Sequence, residues 1–351
     1  MKKRDYFLTS ISLILLIGFI YYADKNFDAY IVRILNLCAI YTVLGLSMNL
    51  INGFTGLFSL GHAGFMAVGA YVTAILTLSV NAKIQNFFLK PIAAPLSNVV
   101  WPFFPSLLLG GVLTAMVGFL IGAPALRLKG DYLAIATLGF AEIIRVIFTN
   151  TQTITNGALG LKGIPAYTNL WWSFGTAVFT IVAMRLLINS SYGRAFKAIR
   201  EDEIAAESMG IDLFKHKVLA FTIGAFFAGI GGGLLGNLLG TIDPLMFRFT
   251  LTFNILLIIV LGGIGSITGT VISAFVVTIS QEALRFLDQS MDLGFIVIPG
   301  VAGMRMVVFS ILLMLVVLFY RHGLMGTNEF SWDKFLNFIS FKKPLLKGGK
   351  E

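Results

Sequence analysis

Three histidines, His62, His216 and His322, and one cysteine, Cys38, are the residues most able to hold a soft metal, and no two of them fall at a ligand spacing. Cys38 has no second thiol to pair with, which removes disulfide and thiolate-cluster chemistry, and its apolar surroundings give it the character of a small buried hydrophobe. Neither a metal nor any other cofactor is expected. Glu142 and Arg145 stand three apart in an apolar run, on one helical face. A lone ionised group near mid-bilayer costs about 2.5–3.5 kcal/mol, so these two are expected to pair. No Gly-x-x-x-x-Gly-Lys-Ser/Thr phosphate loop occurs; the one Gly-Lys pair, Gly349-Lys350, precedes Glu351. The chain therefore carries no catalytic residues of its own for nucleotide hydrolysis.

Glycine is the other residue with a pattern, 37 in all. The stretch 229–240 contains small-xxx-small steps at 229 and 233, 232 and 236, and 236 and 240, the spacing that lets helix backbones approach closely in lipid. It also matches the dinucleotide fingerprint at Gly231, Gly233 and Gly236, but that motif needs a preceding strand and here lies inside an apolar run. A different pattern occurs twice, in Asn52-Gly53-Phe54-Thr55-Gly56-Leu57-Phe58-Ser59 and in Leu261-Gly262-Gly263-Ile264-Gly265-Ser266-Ile267-Thr268. Each is a charge-free Gly-x-x-Gly joining two apolar runs. They read either as helix breaks at membrane depth, which mark transport sites in many carriers, or as short turns between helices. His62 follows the first of them. Gly53, Gly56, Ser59, His62, Gly262, Gly263 and Gly265 are accordingly the candidate substrate-pathway residues.

The elements that must position these groups are apolar helices. The chain is 57% hydrophobic and 12% charged, against roughly a quarter charged for a soluble domain, with a mean hydropathy of +0.87. Apolar runs occupy 6–22, 31–51, 57–80, 106–126, 132–148, 170–188, 218–239, 251–261, 271–287 and 295–320. The first resembles a signal peptide but lacks a small-x-small cleavage site and reads as a retained helix. The pair 251–261 and 271–287 is ambiguous, one crossing or two. Two crossings put seventeen of the 26 Lys and Arg residues on one side, which the positive-inside rule favours. The expectation is an all-α polytopic membrane protein of about ten transmembrane helices, within eight to eleven, packed through glycine, with both termini cytoplasmic. Orientation then accounts for the net charge of +9, and nucleic acid is not needed as a partner.

Residues 1–326 form the expected transmembrane domain, and residues 327–351 a basic, amphipathic cytoplasmic tail in which Trp332, Phe335, Leu336 and Ile339 share a face suited to membrane lipid. Two long outer segments, 81–105 and 150–169, are rich in turn-forming residues and suit a soluble partner. Between the sixth and seventh runs lies a charged segment, 189–217, read as helix with Ser190 or Ser191 as its cap and Gly210 as its stop. Small residues and charges of both signs held at a membrane surface suit docking into a cytoplasmic cleft.

At this segment the chain resembles a known family. Glu203-Ile204-Ala205-Ala206-Glu207-Ser208-Met209-Gly210 is similar to the coupling motif of bacterial ABC importer permeases, Glu-Ala-Ala followed by glycine, with an extra residue after the glutamate. Four ordered blocks resemble the LivM-type permeases of branched-chain amino-acid importers: 46–50 through 61–65, 130–140, 193–210 and 261–266. The resemblance implies an ABC importer permease fold in the bacterial inner membrane. It also implies a second, LivH-like permease, two cytoplasmic ATPase subunits and a periplasmic or lipid-anchored binding protein as partners. By the same resemblance Gly193, Arg194, Arg200, Glu201, Asp202, Glu203, Ala205, Ala206 and Gly210 would couple the ATPase to the spans. A permease for urea or short amides shares most of these blocks, and an ATP-independent carrier built on His62 and the glycine breaks is the reading from another class.

Overall fold

The computed structural model describes residues 3–128, 130–288, 291–292, 297–298, 303–319, 323–326, 329–330 and 332. The described residues are mostly helical. Its helices are α1 (Lys3–Asn26), α2 (Ala29–Asn49), α3 (His62–Thr77), α4 (Val80–Asn86), α5 (Ala94–Ser97), α6 (Phe103–Ala125), α7 (Asp131–Asn150), α8 (Gln152–Thr155), α9 (Leu170–Asn189) and α10 (Ser191–Glu201). They continue as α11 (Glu203–Ser208), α12 (Leu213–Leu239), α13 (Phe249–Gly262), α14 (Ile267–Ala283) and α15 (Met304–Phe319). Among the described residues the strands are two-residue pieces: β1 (Leu161–Lys162) pairs antiparallel with β2 (Thr241–Ile242), and β3 (Met291–Asp292) with β4 (Val297–Ile298).

Each of the ten apolar runs carries a helix. Six helical stretches among the described residues are long and apolar enough to cross a bilayer: 7–26, 29–54, 103–125, 131–150, 170–189 and 213–239. Helices α3, α13 and α14 are apolar but shorter; the 14 residues of α13 reach only about 21 Å at 1.5 Å per residue. The ambiguous stretch 251–287 is thus two helices that reverse direction at residues 262–266. The amphipathic tail read at 327–351 lies outside the described residues except for Glu329, Phe330 and Trp332.

Helix α12 is the central post, packed on α3, α6 and α2. Its glycines make this possible. Gly229 and Gly69 of α3 meet backbone to backbone, Thr114 of α6 lies over Gly229, and Gly232 sits on the backbone of Met66. A Cβ at Gly69 would overlap the Gly229 carbonyl, so a side chain here would drive the two helices apart. Around this seam Leu44, Met66, Phe221 and Leu234 are fully buried, with Phe65 and Phe221 edge to face at 5.4 Å. The outer surface is as apolar as the inside: Ile14 and Leu15 of α1, Leu120 of α6, and Phe179 and Leu186 of α9 are each at least 60% exposed. Such a surface is stable only against hydrocarbon.

The two ends of the bundle differ. At one end an ordered cap links the connections: β1 pairs with β2, the Asn86 side chain bonds both the N–H and the C=O of Lys162, and Ala93 N–H bonds Thr153. Lys83 is buried there and donates to the carbonyls of Leu96 and Val99, with desolvation lowering its pKa. At the other end lie the α10–α11 segment and both glycine breaks.

Candidate functional site: two helix breaks beneath a charged loop

The first break begins where α2 widens into a π turn, Leu50–Phe54, followed by Gly56 at φ +75°. Residues 55–61 then leave the helix: Thr55 and Leu57 N–H still bond back to the carbonyls of Leu50 and Ile51, Gly56 and Phe58 are exposed, and the buried part around Ser59 and Gly61 has no helical bonds of its own. Side chains satisfy it instead. Asn52 bonds both the N–H (3.4 Å) and the C=O (3.2 Å) of Ser59; Thr137 Oγ1 of α7 accepts from Leu60 N–H at 3.0 Å; Thr252 Oγ1 of α13 accepts from Ala63 N–H at 3.0 Å. This is why α3 starts at His62, although the apolar run begins at 57. His62 is buried and its Nε2 lies 2.8 Å from Ser47 Oγ. Because Ser47 gives its own proton to the Leu44 carbonyl, the geometry assigns the Nε2–H tautomer, with His62 as donor.

The second break, at residues 262–266, lies against the first. Asn49 joins them: its Oδ1 accepts from Gly265 N–H at 2.9 Å, and its Nδ2 donates to the Ser266 carbonyl at 3.0 Å and to Thr270 Oγ1 at 2.8 Å. A Cβ on Gly53 would sit 2.7 Å from Gly265 N, so the two glycine repeats are in van der Waals contact. Gly262 packs on Gly269 across the turn, and Gly263, at φ +112°, packs on Gly326. The chain after α15 completes this end, with Leu324 N–H and Met325 N–H bonding the last carbonyls of α13 at 2.7 and 3.1 Å. Glu329 caps α14, taking Ile267 N–H at 2.7 Å, Thr268 N–H at 3.1 Å and the Thr268 hydroxyl at 2.7 Å.

The charged loop covers both breaks. Its sequence predicts one helix; the structure divides it at Asp202, whose extended backbone interrupts the helix and whose carboxylate accepts from Ile204 and Ala205 N–H to start α11. Ser190 caps α10, and Gly210 at φ +82° follows α11. Phe196, Ile199 and Ala206 face inward, and Glu203 pairs with the nearly buried Lys217 of α12 at 2.6 Å. Gly193 passes too close to the Ile188 backbone for any side chain. Arg200 is the link to the breaks: its Nη1 donates to the Gly53 carbonyl at 3.2 Å, Glu201 holds its Nη2 at 2.6 Å, and both Gly56 and Gly265 pack on its side chain. Arg194 bonds Ser191, one turn before it, and Ala205, Ile204 and Met209 face outward, Ile204 at 76% and Met209 at 83% exposure.

Of the residues singled out from sequence, Gly53, Gly56 and Gly265 thus meet at Arg200. Gly262 and Gly263 lie just beyond, while Ser59 and His62 lie deeper, held by Asn52 and Ser47. Sequence reading missed Ser47, Asn49, Thr137 and Thr252, the polar groups that satisfy the breaks; a lone Asn or Thr in an apolar run is the signal that would have found them. It also missed Ile204 and Met209, apolar side chains in an otherwise charged stretch. Glu142 and Arg145 pair as expected, at 2.7 Å.

Apolar surface outside, with polar groups turned inward onto irregular backbone, is the arrangement of a polytopic membrane protein. Residues 30–318 match the model of a family described as the branched-chain amino acid transport system permease component, and the chain belongs to that family. It is 34% identical over 292 residues to the high-affinity branched-chain amino acid transport system permease protein LivM of Escherichia coli, covering 74% of this chain and 64% of that one. The chain thus spans less than two thirds of the length of that relative. It is 26% identical to a probable LivM of Methanocaldococcus jannaschii (81% and 90% covered) and 24% identical to LivH of Escherichia coli (89% and 97%). No solved structure gives a significant match.

Proposed function

We propose that this chain is the transmembrane permease subunit of an ATP-driven importer for branched-chain amino acids, and that it forms half of the translocation pathway. The relatives' names support the substrate class. In this reading the chain lies in a bacterial inner membrane, crosses it about ten times and keeps both termini in the cytoplasm. It pairs with a second, related permease; similarity to both LivM and LivH fits a pathway built from two such chains. Two cytoplasmic ATPase subunits dock on residues 189–217, and a binding protein delivers substrate to the cap at the other end.

The observation that carries this reading is the seat of Arg200 on the two breaks. A pull on α10 reaches the α2–α3 junction through the Gly53 carbonyl and the α13–α14 junction through Gly265. Four membrane helices thus have one handle. Gly193, Arg194, Glu201, Asp202, Glu203, Ala205, Ala206 and Gly210 shape that handle, and Ile204 and Met209 are the apolar anchors it offers to an ATPase cleft. Gly53, Gly56, Ser59, His62, Gly262, Gly263 and Gly265 serve as the moving joint beside the pathway.

The test is uptake of radiolabelled leucine into vesicles holding the chain with its companion permease and ATPase subunits, the binding protein being added outside. ATP-dependent uptake of leucine but not urea is expected, and it should vanish when the ATPase subunits are omitted. Uptake that persists without them and collapses with the proton gradient would overturn the proposal in favour of a self-sufficient carrier. Uptake of urea alone would move the substrate class.

A further inference from the structure

At the loop end of the bundle a cavity of about 760 Å³ opens between α1 and the body of the protein. That is within the roughly 300–1,000 Å³ of sites for drug-sized ligands. Ile181 and Ile188 of α9 and Val271 and Ile272 of α14 wall it, and Ser12 of α1 closes one side. Helix α1 exposes Phe7, Ile14 and Leu15 beside it, so the cavity borders the surface that faces hydrocarbon. Three cations line its rim: Arg185, Lys197 and Arg200.

Among the described residues the charges around this cavity do not cancel. Arg200 is bonded to the Gly53 carbonyl and to Glu201. Glu329, the one carboxylate among the described lining residues, has both oxygens engaged by the N-terminus of α14. Arg185 and Lys197 have no ion pair among the described residues, and α9 contains no acidic residue to supply one. The chain that follows Trp332 is a poor occupant, since residues 333–351 contain five lysines and only two acidic residues. What fits is a molecule with an anionic head and an apolar body, located where a bilayer's headgroups meet its acyl chains.

We infer that this cavity seats one anionic phospholipid, its phosphate between Arg185 and Lys197 and an acyl chain along Ile181, Ile188, Val271 and Ile272. The lipid would wedge α1 against the floor of the coupling loop, one helical turn from Arg200 on α10. The inference rests on the chain being a membrane protein and not on what it transports, so a negative uptake experiment leaves it intact.

The test uses the full-length chain purified in detergent, with phosphatidylglycerol or phosphatidylcholine added. Retained lipid is counted by native mass spectrometry, and stability is followed by thermal melting. Wild-type protein should retain phosphatidylglycerol and melt higher with it than with phosphatidylcholine. Arg185→Gln with Lys197→Gln should weaken that binding about 30-fold, at about 1 kcal/mol for each basic residue near the membrane surface. Lys90→Gln with Lys162→Gln removes the same two charges from the opposite end and should change nothing. If the first pair folds poorly, Arg185→Lys with Lys197→Arg keeps both charges and should keep the lipid. Equal retention of the two lipids by wild type, or equal binding by the two neutralised pairs, overturns the inference. So does a full thermal shift with inorganic phosphate alone and no lipid retained.

Discussion

In the proposed coupling Arg200 is the residue that joins the charged loop to the breaks, because its guanidinium is bonded to the Gly53 carbonyl while its side chain packs against Gly56 and Gly265. A hydrogen bond from a charged donor contributes about 1.5–3 kcal/mol, which corresponds to a roughly tenfold to hundredfold change in any equilibrium that depends on it. Arg200→Gln is therefore expected to leave the protein folded and the ATPase subunits bound, yet to cut leucine uptake at least tenfold and to abolish the stimulation of ATP hydrolysis by loaded binding protein. Arg200→Lys restores the charge without the planar fork and should recover only part of the stimulation. ATPase assays on the reconstituted complex with and without loaded binding protein measure both; full stimulation in Arg200→Gln would remove the residue from the coupling path. Residue types were legible in the sequence here, but their meetings were not. Arg200 and Gly53 could each be named, yet 147 positions separate them, and nothing local says that they touch. Asn49 stands out as a polar residue in an apolar run, but its role was hidden for the complementary reason: its partners, Gly265, Ser266 and Thr270, meet it only once the two breaks are folded together.

At the scale of elements the sequence was far more readable, because hydrocarbon forces each apolar run into a helix that satisfies its own backbone. All ten runs carry one, and the small-residue run 229–240 lies in and at the end of α12 as a packing face, with no strand before it to support a nucleotide fingerprint. What the runs did not reveal is where helices stop. The run at 57–80 becomes α3 only from His62, since Asn52, Thr137 and Thr252 offer residues 55–63 better partners than a helix would. The charged loop splits at Asp202 because a carboxylate is a strong N-cap. The contact between α3 and α12 yields a direct prediction. Gly229→Leu would push a side chain into Thr114 of α6 and Gly69→Val would push one into the Gly229 carbonyl, where the obstacle is backbone and cannot rotate away. Overpacking typically costs about 1–3 kcal/mol, and the backbone obstacle places Gly69→Val at or beyond the upper end, with Gly229→Leu, which meets the Thr114 side chain, inside that range. Both variants should lose the monodisperse peak on size-exclusion chromatography. Gly175→Ala is the matched control: a Cβ there meets nothing within 4 Å, and its elution should be unchanged. Normal behaviour of Gly69→Val would mean that α3 and α12 do not meet as described.

For the whole molecule, the α10–α11 loop and both breaks lie at one end and the ordered cap of connections lies at the other, the polarity that the proposed importer needs. Arg185, Arg194, Lys197, Arg200, Lys215 and Lys217 sit on or beside the loop that covers the breaks, and a surplus of Lys and Arg is the mark of a cytoplasmic face. The opposite cap is joined by backbone and side-chain bonds among three connections, 78–102, 150–169 and 240–248, which suits a surface that must hold its shape to receive a partner. The chain carries a convenient reporter for this polarity. Its one natural thiol, Cys38, has no exposed surface and is expected to stay silent toward a membrane-impermeant maleimide. A single cysteine introduced at Met209, which is 83% exposed, should then label only in inside-out vesicles stripped of peripheral subunits. A single cysteine in place of the exposed Lys90 should label in spheroplasts with the membrane intact. The two must report opposite sides, because α10 and α11 lie at the loop end whereas Lys90 lies in the connection that Lys83 and Asn86 tie to the other end. Labelling of Met209→Cys from outside intact cells would place the breaks, Arg200 and the loop above them beyond the reach of any cytoplasmic motor, and the importer reading would fail with them.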